Sequence, residues 1–148
     1  MSLAIAKSIL VVAKRPLHKT PMAVANACFI GTLLTDVTYW RSAEMMWADF
    51  SAWLLFAGLV VGVLAVLAAL VDLFTGRLSA ASRPVWPYFF GSLAALAMSL
   101  LNALVHSRDA WTSVVPTGLS LSAAAVIVLL FVGLLGWRSR SAHVEVVE

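Results

Sequence analysis

The stretch Ser51-Ala-Trp-Leu-Leu-Phe-Ala-Gly-Leu-Val-Val-Gly-Val-Leu-Ala-Val-Leu-Ala-Ala-Leu-Val-Asp-Leu-Phe74 decides the fold. Its one charged side chain is Asp72. Crossing a hydrocarbon core of about 30 Å takes roughly 20 helical residues, and this run is long enough. Backbone polar groups in lipid must be paired within the protein, so a spanning segment is a helix or a strand of a closed barrel. This run is too long and too uniformly apolar for a barrel strand. Working outward, three more runs of the same kind occur at Pro21–Trp40, Trp86–Val105 and Pro116–Trp137. The composition agrees. Of 148 residues 62% are apolar and 11% charged, with a mean hydropathy of +0.97. A soluble domain averages about 45–50% apolar and about 25% charged. The excess excludes an ordinary soluble domain, a disordered tail and a nucleic-acid-binding module, and names the lipid bilayer as the first partner.

The connections Arg41–Phe50, Thr75–Val85 and His106–Val115 are short, which makes successive helices antiparallel neighbours. The expectation is an all-α, transmembrane four-helix antiparallel bundle over residues 20–138. A short interfacial amphipathic segment (1–19) precedes it and a polar, loosely ordered cytoplasmic tail (139–148) follows. Leu3–Ala13 is apolar but too short to span, contains Lys7 and lacks a small-residue cleavage site. It reads as an uncleaved interfacial segment and not as a signal peptide.

Charge placement sets the topology. Lys7, Lys14, Arg15, Lys19, Arg77, Arg83, Arg138 and Arg140 fall on one side, and only Arg41 and Arg108 on the other. The net charge of +3 therefore reads as a topology signal, with both termini on the cytoplasmic face of a bacterial inner membrane. Tyr39, Trp40, Trp47, Trp53 and Trp111 mark the expected outer interface, and Trp86, Tyr88 and Trp137 the inner one.

Small residues allow helices to approach in lipid, where no hydrophobic force drives them together. Helix two carries Gly58, Gly62, Ala65, Ala69 and Asp72 on one face; helix three carries Tyr88, Ser92, Ala95, Ser99, Asn102 and His106; helix four carries Gly118, Ser122, Ala125 and Gly136. These stripes are expected to be interhelical seams. Ionisable residues at membrane depth are costly, by about 2.5–3.5 kcal/mol at a helix centre, and so mark candidate sites. Asp36 and His106 fall at the same outer depth, where a carboxylate would orient an imidazole. With Asn102, Arg108 and Asp109 they form the candidate site for contact with a quinone or a redox partner. His18, Asp72 and Arg77 form an expected inner ion-pair cluster of structural character. No catalytic motif and no metal-ligand spacing is present. A haem is not expected: His18 and His106 lie on opposite faces, and a His106–Met45 or His106–Met46 pair would rest on a loop. The single cysteine, Cys28, reads as a packing residue.

Three segments carry a resemblance. They are Arg15-Pro-Leu-His-Lys-Thr-Pro-Met with Leu34-Thr35-Asp36-Val37-Thr38-Tyr39-Trp40; Met46-Trp-Ala-Asp-Phe-Ser-Ala-Trp-Leu-Leu-Phe-Ala-Gly-Leu-Val60; and Asn102-Ala-Leu-Val-His-Ser-Arg-Asp-Ala-Trp111 with Val115-Pro-Thr-Gly-Leu-Ser-Leu-Ser122. Together the chain resembles the bacterial four-helix membrane family catalogued as domain of unknown function two-two-three-one, from about Arg15 to the end of helix four. The resemblance implies an inner-membrane protein that partners redox proteins, as anchor or quinone-side subunit of a periplasmic dehydrogenase. The chain departs from the family at His18-Lys19, Ala25-Asn26, Ala69-Leu-Val-Asp72, the missing histidine near the start of helix three and Arg138-Ser-Arg-Ser. Intrinsic catalysis is not expected. The alternatives are a small oligomeric transporter or channel, and a purely structural subunit of a respiratory assembly; a homo-oligomer fits the first.

Overall fold

The computed structural model describes residues 16–77, 86–108 and 114–144. Within them the chain is all-α: α1 (Lys19–Ser42), α2 (Met45–Phe74), α3 (Trp86–His106) and α4 (Thr117–Val144). Each is long and apolar enough to cross a membrane. The interfacial segment up to residue 15, Arg83, Asp109, Trp111 and the end of the tail from residue 145 lie outside the described residues.

The helix ends follow from local chemistry. Pro21 sits in the first turn of α1, where no backbone donor is needed. α1 ends at Ala43 in the left-handed region (φ 56°), whose N–H donates to the Tyr39 carbonyl at 2.8 Å. Extended Glu44 then opens α2, so the connection is Ala43-Glu44 and not the expected Arg41–Phe50. α2 closes with Gly76 at φ +71°: Arg77 N–H donates to Asp72 O (2.9 Å) and Gly76 N–H to Leu73 O (3.2 Å). This is a Schellman closure, for which glycine is suited by its missing Cβ. It folds Arg77 back beside Asp72.

Hydropathy marks where lipid ends, and a helix stops only where its backbone bonding is broken. α2 therefore starts at Met45, before the expected Ser51, and α4 runs past Trp137 to Val144, into the segment read as a tail. Neither extension contains glycine or proline.

Buried positions recur at alternating steps of three and four. They are Ala25, Phe29, Thr32, Asp36 and Tyr39 on α1, and Ala48, Ser51, Leu55, Gly58, Gly62, Ala65 and Asp72 on α2. Ala95, Ser99 and Asn102 continue the pattern on α3, and Ser122 and Ala125 on α4. That spacing is the seam of bundles with a shallow crossing angle. α1 packs on α2 and α4, and α3 packs on α4 and α2, which leaves α1 and α3 diagonal across the bundle. The interior combines small and polar side chains with a few large ones such as Phe29, Tyr39 and Leu55, whereas Leu34, Trp53, Phe56, Phe74, Leu130 and Phe131 point outward. Water would reject such a surface, and lipid accepts it.

Tyr39 corrects one expectation. It is buried with Ala48 and Val114, and its hydroxyl points at Met45 Sδ (3.8 Å), so it does not belong to an interfacial aromatic belt. The heptad phase turns it inward, whereas Trp40 and Trp53 are exposed.

Candidate functional site

Near the end of the bundle where the α1–α2 connection lies, Asp36 and His106 meet across the bundle. His106 Nε2 stands 3.0 Å from Asp36 Oδ1, with side chains 2% and 0% exposed. The Ser122 hydroxyl donates to Asp36 Oδ2 at 2.5 Å, and Asn102 Nδ2 donates to Ser122 Oγ at 2.6 Å. His106 Nδ1 lies 3.1 Å from the Asn102 carbonyl oxygen. The four residues thus close a ring that joins α1, α3 and α4. Each is placed by the heptad pattern: Asp36 four residues after Thr32, His106 four after Asn102.

The partners dictate where the hydrogens are. A carbonyl only accepts, so Nδ1 carries a hydrogen. Nε2 and Oδ1 then share one proton, as imidazolium–carboxylate or as imidazole–carboxylic acid. Either way the pair is neutral overall, which suits burial in a low-dielectric interior. Beside the ring, the Thr35 hydroxyl donates to the carbonyls of Gly31 and Thr32, so Ser51 Oγ, 2.6 Å away, is the donor to Thr35 Oγ1.

Above the ring, Tyr39, Ala48 and Val114 with Trp47 and Val115 form an apolar cap. On its other side lies a core of Ala25, Phe29 and Leu55 with Leu59, Leu96 and Leu129 packed around it. The ring is flanked on one side by a groove. This groove, of about 240 Å³ between α2 and α3, is lined by Ala52, Phe56, Leu59, Ala103, His106 and Ser107.

At the opposite end, Asp72 accepts from the His18 backbone N–H (3.1 Å) and pairs with His18 Nδ1 (2.8 Å). Arg77 Nη1 is 3.6 Å from Asp72 Oδ1. The α2 carboxylate thereby caps the start of α1, whose own N-cap position, His18, makes no side-chain bond to the helix. Replacing Asp72 by alanine is expected to lower the melting temperature in detergent and to speed amide exchange several-fold in the first turn of α1. Exchange unchanged there would refute the capping role.

The structure brings together Asp36, Asn102 and His106, and separately His18, Asp72 and Arg77. Arg108 is exposed and stands apart from the ring. Ser122 was legible only as a packing position; its place four residues after Gly118 and three before Ala125 gave the face but not the partner. Among the described residues no group of three histidine, cysteine or acidic side chains could hold a metal ion. A family model described as a predicted membrane protein (DUF2231) matches residues 14–147. No curated protein and no solved structure matches the chain.

Proposed function

The chain belongs to the DUF2231 family of predicted membrane proteins, and from that premise we propose that it is an integral membrane subunit or anchor of a redox assembly, with the α2–α3 groove receiving the head of a quinone. One observation carries the reading. His106 takes part in a buried carboxylate pair and also forms part of the wall of a groove on the lipid-facing side. Quinone chemistry couples electrons to protons, and the imidazole beside a carboxylate holds one shared proton just behind that wall, with both ring nitrogens turned to the interior. The groove is smaller than the roughly 300–1,000 Å³ of enclosed small-molecule sites, so it suits a ring whose tail stays in lipid. The distribution of lysine and arginine supports a periplasmic position for this end, where a redox partner would dock. Electrons would come from or go to that partner.

A transport role has less support. The core between the Asp36 and Asp72 clusters is built on Ala25, Phe29 and Leu55, an apolar layer across any path along the bundle axis.

The test is titration of a short-chain ubiquinone analogue into the protein in nanodiscs, read by tryptophan quenching. Trp53 stands next to Ala52 and Phe56 of the groove. Saturable quenching is expected, weakened about tenfold or more by Ala103→Phe, which fills the groove, a change of about 1.4 kcal/mol. Ile127→Phe, on the exposed face of α4, should leave it unchanged. Absence of saturation, or equal binding by Ala103→Phe, would leave a purely structural subunit.

A further inference from the structure

Two polar atoms of α3 have no hydrogen-bond partner among the described residues although they are sealed from solvent: Ser99 Oγ and Asn102 Oδ1. Both residues are 1% exposed. They lie three apart on one helix face, with Cβ atoms about 5–6 Å from each other. One atom has a hydrogen to give and the other a lone pair to fill. The amide cannot turn to cure this. Asn102 Nδ2 donates to Ser122 Oγ, and the Ser122 hydrogen is committed to Asp36. Turning the amide would set two oxygens face to face with no hydrogen between them.

We propose that a water molecule is bound between Ser99 and Asn102 as a fixed part of the bundle interior. It accepts the Ser99 hydroxyl hydrogen and donates one of its own to Asn102 Oδ1. Two bonds of about 2.8 Å span the distance between such neighbours. The antiparallel register that sets Asn102 against Ser122 brings Ala125 opposite Ser99, and this small buried side chain leaves room where leucine would not. Thr32, level with Asn102 on α1, gives its hydrogen to the Cys28 carbonyl at 3.0 Å and keeps a lone pair for the water's second hydrogen. Buried waters hold three such partners on average. A metal cation fits poorly. Asp36 is already neutralised by the proton it shares with His106, so an ion would bring uncompensated charge into the interior. An apolar guest would satisfy neither atom.

The water acts on the carboxylate through a chain. It fixes the Asn102 amide, the amide holds the Ser122 oxygen, and Ser122 holds Asp36 Oδ2. This role is independent of any ligand in the α2–α3 groove.

Solid-state NMR of the isotopically labelled chain in lipid vesicles tests the proposal, by transfer from water protons to the Ser99 and Asn102 side chains. Both are buried, so bulk water does not supply the signal. The wild type is expected to show a water contact at both residues. Ser99→Ala, with unchanged helix signals, should lose the Asn102 contact and shift the His106 ring nitrogens. No contact in the wild type, a Ser99 hydroxyl bonded instead to the Ala95 carbonyl, or an Asn102 contact unaltered in Ser99→Ala would each overturn it.

Discussion

Asp36→Ala is expected to destabilise the bundle by about 3 kcal/mol or more, whereas Asp36→Asn costs under about 1 kcal/mol. The difference comes from hydrogen accounting. Alanine removes the acceptors of both Ser122 and His106, and breaking a buried pair from one side costs about 3–5 kcal/mol because its partner stays buried and unmatched. Asparagine can replace the protonated pair. Its Nδ2 donates to Nε2 of a neutral imidazole, its Oδ1 accepts from Ser122, and Nδ1–H still reaches the Asn102 carbonyl. No charge is left over, and the Ser122 hydroxyl and the His106 Nδ1–H keep their acceptors; only the second amide hydrogen of the new asparagine has none in the ring. Unfolding equilibria in mixed micelles measure both variants. Similar losses for alanine and asparagine would mean that the ring contributes charge attraction and not a neutral hydrogen-bonded circuit. Because asparagine keeps the ring but not the shared proton, the same variant separates folding from any proton-handling role.

Gly58→Leu is the second large effect. A Cβ built at Gly58 would lie 2.7 Å from Phe29 Cε1 and 3.0 Å from the Cβ of Cys28. Phe29 belongs to the buried core and cannot swing away, and Cys28 Cβ is fixed to the α1 backbone. The helices must therefore separate along their seam. Overpacking of this kind costs about 1–3 kcal/mol, and leucine falls at the upper end, about 3 kcal/mol. Gly133→Leu serves as the control, since nothing lies within 4 Å of its Cβ position. The same thermal or denaturant assay should show Gly133→Leu within about 0.5 kcal/mol of the parent, as for surface changes in general. Equal behaviour of the two leucine variants would refute close α1–α2 packing at Gly58.

Much of this architecture was readable from the chain. Four apolar runs separated by short polar links yield four antiparallel helices, because the cost of unpaired backbone in lipid leaves no other solution. The Gly58–Gly62–Ala65 and Ser99–Asn102–His106 stripes were visible as faces, since a helix places residues three and four apart together. The helix ends were less legible. Met45–Phe50 is interrupted by Asp49 and follows the polar Arg41–Glu44, and the residues after Trp137 are mostly polar, so both look like connections, yet nothing in them breaks a helix. Tyr39 was misplaced for a related reason: aromatic character suggests an interface, but the phase of α1 turns this ring inward and the next one, Trp40, outward.

The candidate site divides in the same way. Depth along the membrane normal follows from counting residues along each helix, so the sequence alone could set Asp36 level with His106, and His18 level with Asp72. Depth does not say which faces meet. Arg108 shares the level of the ring but is exposed, whereas Ser122, a serine among small residues, is the one that binds the carboxylate. That outcome depends on the rotation of four helices about their own axes and on the diagonal arrangement of α1 and α3. Rotation is set by packing of side chains distant in the chain, with Gly58 against Phe29 and Asn102 against Ser122. Hydropathy is a property of each segment by itself and carries no record of those pairings, so the chain determined that there are four spans and how deep each polar group lies. Only the assembled bundle decided which of those groups touch.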